Sequence, residues 1–272
     1  MSALELFSGP SPLFIGVVHL LPAPGAPRFG GSVEALLARA AADARALVAG
    51  GVDALLVENY GDAPFFAASV PPETVATLAL ALREVRAQAG ARPVGVNVLR
   101  NDARAALGLC ASAGARFLRV NVHTGAMVAD QGLLQGRAAE TLRERARLCP
   151  AAALLADVHV KHATPLGSES LAEAAADAAE RGGADALIVT GSRTGAAPAV
   201  EALERVRARA GEAALLVGSG VDEHNAAELL ARADGAIVGS ALERAGRAGE
   251  PVEEARVARL RARFDAARRS RR

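Results

Sequence analysis

Eight short apolar runs recur along this chain, each followed by an alanine-rich stretch of helical period. The runs are LFIGVVHL (13–20), DALLVEN (53–59), PVGVNVL (93–99), RFLRVNVH (116–123), ALLADVHV (153–160), DALIVTG (185–191), ALLVGSG (214–220) and GAIVGSA (235–241). Helical patterns fall between and after them, at about 33–49, 73–89, 102–113, 137–148, 169–181, 199–210, 223–232 and 252–268. Near-continuous apolar strands alternating with helices predict a parallel sheet buried on both faces. Eight such units in about 250 residues match a single-domain (β/α)8 barrel, a TIM barrel in the α/β class. The competing topology, an open doubly wound sheet, lacks its glycine-rich dinucleotide fingerprint after the first strand. Residues 1–12 are expected to form an N-terminal extension and residues 13–272 the barrel.

In such a barrel, chemistry is done at the C-terminal ends of the strands and in the loops behind them. Read in order, those ends supply His19; Glu58 and Asn59; Asn97, then Arg100, Asn101 and Asp102; Arg119, Asn121 and His123; Asp157, His159, Lys161 and His162. The last three strands offer only Thr190, Ser192, Thr194, Ser219 and Ser240. The two-residue strand period puts Arg119, Asn121 and His123 on one face, and Asp157, His159 and Lys161 on another. If both face the mouth, a carboxylate, an imidazole and an amine converge beside Glu58 and Asn97. Glu58 and Asp157 are then candidate acid/base groups. Asn97, Asn121 and His123 are candidates to polarise a carbonyl or stabilise an enediolate, and His159 is a further catalytic candidate. Lys161 is the only lysine, every other basic position being arginine. An amine can be a Schiff-base nucleophile or an electrostatic partner, and guanidinium cannot replace it in the first role.

The last two strands predict an anion site. Gly218, Gly220 and Gly239 allow backbone amides to approach a phosphate, Ser219 and Ser240 can donate hydroxyls, and helix N-termini just beyond add their dipoles. Two strand–helix connections are long, LLPAPGAPRFGGS and TGAMVADQGLLQG, as covers over a functional face are. Structural alternatives stand beside these readings. The glycines serve tight turns; Asp157 pairs with Arg119; Asn101 caps a helix; His19 anchors its loop; His224 lies on a helix surface. No cofactor is required by these motifs. A divalent ion at the strand-end acids stays open, although no set has clear ligand spacing.

With 31 basic residues against 30 acidic ones, the chain has no global field for nucleic acid. The basic C-terminal stretch suits the end of a last helix. Cys110 and Cys149 are too few for a disulfide framework and fit buried thiols. The N-terminal apolar run has no basic flank and is far shorter than the roughly 20 residues of a membrane span. These features predict a soluble cytoplasmic protein with no membrane insertion, compatible with a homo-oligomer.

The segments VVHLLPAPGAPRFGGS, VENYGDAPF, VGVNVLRNDARAAL, RVNVHTGAMVADQGLLQGRAAETLR, ADVHVKHATPLG, DALIVTGSRTGAAP and LLVGSGVDEHNAAELLARADGAIVGSAL together resemble the BtpA family, from about residue 13 to 265. The resemblance implies a ribulose-phosphate-binding type of barrel and, at family level, a link to photosystem I biogenesis. It carries over no set of catalytic residues. Two functions follow as expectations. One is an enzyme, an isomerase/epimerase or a lyase, acting on a small phosphorylated metabolite. The other is a non-catalytic assembly factor binding a metabolite or a protein.

Overall fold

The computed structural model describes Leu6 and residues 11–271, so most of the expected 1–12 extension lies outside the described residues. Eight parallel strands close into a barrel: β1 (Leu13–His19), β2 (Ala54–Glu58), β3 (Val94–Asn97), β4 (Phe117–Val120), β7 (Ala153–Val158), β9 (Ala186–Val189), β10 (Ala214–Val217) and β11 (Gly235–Val238). Each falls inside one of the eight apolar runs. Outside them pack α1 (Val33–Gly50), α2 (Pro72–Ala89), α3 (Ala103–Ala113), α4 (Ala138–Leu148), α5 (Leu171–Ala176), α6 (Val200–Arg207), α7 (Ala226–Leu230) and α8 (Glu254–Ser270). The helix expected over 169–181 divides into α5 and a π-turn at Asp177–Arg181.

Alternation along the strands builds two cores. Leu13, Ile15 and Val17 of β1, Leu56 of β2, Phe117 of β4, Leu155 of β7, Ile188 of β9, Leu216 of β10 and Ile237 of β11 fill the barrel interior. The intervening residues, such as Phe14, Leu55, Leu118 and Leu187, pack against the helices. Gly95 makes the interior fit: a Cβ there would lie 2.2 Å from the Phe117 ring. At the N-terminal end, Asp53 accepts the Phe14 N–H at 2.8 Å and pairs with Arg261 at 2.9 Å, tying α8 across the closure between the first and last units.

The sequence reading misses three strands. The long connection after β4 is a hairpin, β5 (Ala126–Ala129) and β6 (Gly132–Gln135), and β8 (Ala163–Pro165) pairs with β5. This small antiparallel sheet joins the loops after β4 and β7. The capping expectation also changes. Asp102, not Asn101, caps α3 by accepting the Ala105 N–H at 2.9 Å, while Asn101 bridges the Val122 N–H and C=O. Cys110 and Cys149 are free thiols, and the hydrogen bond with Cys149, followed by burial, drives the Cys110 pKa well up.

Candidate functional site

Continuing each strand's inward alternation past its apolar layers produces the floor of the mouth. His19, Glu58, Asn97 and Arg119 are successive register partners on β1, β2, β3 and β4. Asp157 follows on β7, whereas the last two strands contribute Gly218 and Gly239. The charged members form one connected chain. Glu243, at 1% exposure, takes a 2.7 Å bond from His19 Nδ1. His19 Nε2 lies 3.7 Å from Glu58, and Glu58 Oε1 3.3 Å from Arg119 Nη1. Arg119 Nε and Nη2 grip both oxygens of Asp157 at 3.0 Å, and Asn121 adds a 2.7 Å bond to the same carboxylate. Burial opposes the Arg119 charge, but Asp157 and Glu58 outweigh it and raise its pKa. Tyr60 packs against His19 with ring centroids 4.5 Å apart and planes tilted by 40°; burial, then the Glu243 and Glu58 charges, raise its phenol pKa.

Above this floor opens a cavity of about 650 Å³. His19, Glu58, Asn97, Arg119 and Asn121 line it from below, with Lys161 and Arg100 at one side. The loop after β1 brings Arg28, and the β5–β6 hairpin tip brings Asp130 and Gln131. Both long connections therefore reach the mouth. Lys161 is half-buried, and burial, reinforced by repulsion from Arg119, brings its pKa down to about 8 against partial opposition from Glu58 and Asp157. Among the described residues its amine has no hydrogen-bond or ion-pair partner.

The opposite side is built from loops after β9, β10 and β11. Gly220, at φ 71°, approaches so closely that a Cβ would lie 2.1 Å from Ala197 N. Gly239 leaves room for the His19 ring, whose Cε1 would be 2.6 Å from a Cβ. Gly195, Gly220, Val221, Ser240 and Ala241 line the cavity, and their N–H groups donate to no acceptor among the described residues. Two parts of the expected anion site are different. Ser219 Oγ accepts the Gly191 N–H at 2.9 Å and donates to Ala196 O at 2.8 Å, so its hydroxyl clamps a loop. The helix expected from 223 shortens to α7, five residues beginning at Ala226, and contributes no dipole to the rim.

Three expected site residues lie away from the cavity lining. Asp157 lies beneath it with its side chain fully buried, held by Arg119 as the pairing alternative anticipates. His123 turns outward, because β4 ends at Val120 and the two-residue alternation ends with it. Its Nε2 donates to Gly182 O at 2.8 Å beside the π-turn. His159 adopts φ 50° just past β7, so it leaves the face of Asp157; burial lowers its pKa. Asn97 and Asn121 do line the cavity, but their amide N–H groups serve Arg119 O, Asn121 Oδ1 and Asp157. Asn97 Oδ1 is left as a buried acceptor without a donor. Glu243 and Tyr60 escape the sequence reading. Tyr60 had a signal, next to VEN at a strand end, and Glu243 almost none. His224 is exposed, as expected. Among the described residues no group of three or more His, Cys, Asp or Glu side chains is placed to hold a metal ion.

The sequence pattern of the BtpA family matches residues 11–265. The chain belongs to the BtpA family. Among BtpA-family relatives, it is similar to "Photosystem I biogenesis protein BtpA" of Synechocystis sp., at 46% identity over 257 residues, covering 94% of this chain and 89% of that one. An uncharacterised protein of Pyrococcus abyssi is 43% identical over 252 residues, 93% and 95% of the two chains. Among solved structures, this BtpA-family barrel is similar to phosphoribosyl anthranilate isomerase from Thermus thermophilus (TM-score 0.57, 15% identity, 93% of this chain and 99% of that one). It is also similar to (S)-3-O-geranylgeranylglyceryl phosphate synthase from Thermoplasma acidophilum in complex with substrate sn-glycerol-1-phosphate (TM-score 0.58, 14% identity, 98% and 99%). At such identities these structures attest the TIM-barrel fold. Among the described residues no helix is long and apolar enough to cross a membrane.

Proposed function

We propose that this BtpA-family barrel is an enzyme acting on a small phosphorylated carbonyl compound by isomerase/epimerase or lyase chemistry. The observation that carries the reading is one cavity with two complementary sides. Unpaired N–H groups of Gly195, Gly220, Val221, Ser240 and Ala241 suit a phosphate. Facing them are Glu58, His19 and an amine whose pKa is about 8, of which roughly a quarter is unprotonated at pH 7.5. The solved neighbours named for phosphorylated compounds support the substrate class.

In the isomerase form, Glu58 takes a proton from the carbon beside the carbonyl. The C–H electron pair becomes a C=C bond, and the carbonyl oxygen takes the negative charge opposite Lys161 and Arg119. Return of the proton to the neighbouring carbon, with His19 serving the oxygens, completes the reaction without an external oxidant. In the lyase form, the neutral Lys161 amine attacks the carbonyl and water leaves as a protonated imine forms. The iminium takes the electron pair of the breaking C–C bond as an enamine, Glu58 takes the proton of the hydroxyl that becomes the departing carbonyl, and water hydrolyses the reprotonated imine to free Lys161. Asp157, which is fully buried, positions Arg119 rather than meeting substrate. Asn97 Oδ1 accepts from a substrate hydroxyl. No step calls on a cofactor.

The test is incubation with a set of aldose and ketose phosphates in D2O, reading deuterium incorporation by NMR, with parallel borohydride reduction read by mass spectrometry. Deuterium uptake lost in Glu58→Gln supports the isomerase form, and a reduced adduct at Lys161 the lyase form. No binding and no exchange across the set overturns the reading. A second reading, a non-catalytic assembly factor, is supported by the cyanobacterial relative's name and by exposed Phe66, Val128, Leu133 and Leu166 around the small sheet. It prevails if Val128→Ser with Leu133→Ser abolishes the cellular phenotype while folded Lys161→Met preserves it.

A further inference from the structure

The Arg100–Lys161 side of the cavity concentrates positive charge that has no direct ion-pair partner among the described residues. Arg100 is 5% exposed and faces the cavity, yet no described carboxylate pairs with it. Its Nη2 donates to the Lys161 carbonyl at 2.6 Å, and its Nε has no acceptor among the described residues. The Lys161 amine, on the segment that Arg100 holds, has no partner either. The acids beneath cannot serve them, because Asp157 and Glu58 are engaged by Arg119. Asp130 faces the same cavity from the hairpin tip, but its Oδ2 is bonded to Gln131 and it makes no ion pair with Arg100. Arg100 is also held in place: its N–H donates to Phe66 O, and the next residue, Asn101, is anchored to Val122 just past β4. A buried, rigid and unpaired guanidinium is unfavourable alone and becomes favourable when an oxyanion docks on it.

We propose that Arg100 and Lys161 form a second oxyanion site, so that the substrate carries two anionic groups, a phosphate at the glycine loops and a carboxylate or second phosphate at Arg100. This rests on the phosphate reading above and narrows its substrate class. The two sources of the second oxyanion are separated by probe pairs that share a carbon frame. Glycerol 3-phosphate against 3-phosphoglycerate adds a carboxylate; fructose 6-phosphate against fructose 1,6-bisphosphate adds a phosphate. Binding is read by calorimetry on the full chain. It is read independently by the rate of amine labelling at Lys161, which mass spectrometry resolves cleanly because the chain holds one lysine. In wild type the two-anion member of at least one pair binds about tenfold tighter or more and slows Lys161 labelling. Arg100→Gln reduces that advantage to under about threefold, weakening the two-anion member more than the one-anion member. Arg100→Lys, which keeps a charge, restores part of the advantage and guards against misfolding of the glutamine variant. Equal binding of both members in both pairs overturns the proposal, as does equal weakening of both members by Arg100→Gln in a folded variant. If glycerol 3-phosphate fails to bind while glycerate still protects Lys161, the glycine-loop phosphate falls and the second site stands. If neither glycerate nor inorganic phosphate protects Lys161, the second site falls.

Discussion

Replacing Asp157 by leucine should destabilise the barrel strongly, and replacing Arg119 by methionine in the same chain should recover most of the loss. Asp157 and Arg119 side chains are 0% and 3% exposed and share two bonds of 3.0 Å. Removing one partner of such a buried pair costs about 3–5 kcal/mol, because the survivor is left charged in a poorly polarisable site. Here Arg119 keeps one contact, Glu58 at 3.3 Å, which places Asp157→Leu near the lower end, about 3 kcal/mol. For a chain of this size that is a fall in Tm of roughly 6–12 °C. In Asp157→Leu/Arg119→Met both charges of this pair are gone and an apolar pair of similar volume costs little, while Glu58 keeps His19, at 3.7 Å, as its remaining partner. Urea unfolding of wild type, both single variants and the double variant closes the cycle. A loss below about 1 kcal/mol for Asp157→Leu, or a double variant no more stable than the worse single one, refutes the reasoning.

Three further outcomes are expected. Lys161 should label with an apparent pKa near 8. Because the folded value lies below the unfolded one, the unfolded chain binds more protons between about 8 and 10.5, so this group makes stability rise with pH across that window; Lys161→Met should flatten that part of the pH–stability curve. Gly239→Ala drives a methyl into the His19 ring 2.6 Å away; the overpacking should cost about 1–3 kcal/mol by thermal melt and lower any turnover. Asp102→Ala removes the α3 cap and the acceptor for the Val70 N–H, and should cost about 1–2 kcal/mol in urea unfolding, with Asp102→Asn retaining most of the stability.

The barrel was legible because its strands carry their own signal: runs such as LFIGVVH and ALLADV are apolar on both faces and short. The floor was legible for the same reason, since His19, Glu58, Asn97, Arg119 and Asp157 continue the inward alternation of their strands. Where the strands stop, so does the rule, and His123 and His159, three and one residues past the ends of β4 and β7, leave the face that alternation predicts. Ser219 looked like a free hydroxyl because its acceptor, Ala196, belongs to another loop. The small sheet stayed hidden because TGAMVADQGLLQG and ATP reach strand geometry only by pairing with each other. Glu243 was hardest: its partner His19 is 224 positions away in sequence, and a lone acid in GSALERAG has no local mark.

The small sheet makes the mouth asymmetric. Its ladder ties the loop after β4 to the loop after β7 through three residue pairs, Met127–Pro165, Val128–Thr164 and Ala129–Ala163, so neither loop can swing away alone. Across the opening, the segment around Arg28 is held differently: the Ala26 and Phe29 N–H groups bond only within their own turn. Because Asp130 stands at the hairpin tip and Lys161 just ahead of β8, a displacement of either tied loop would carry both residues of the cavity wall together.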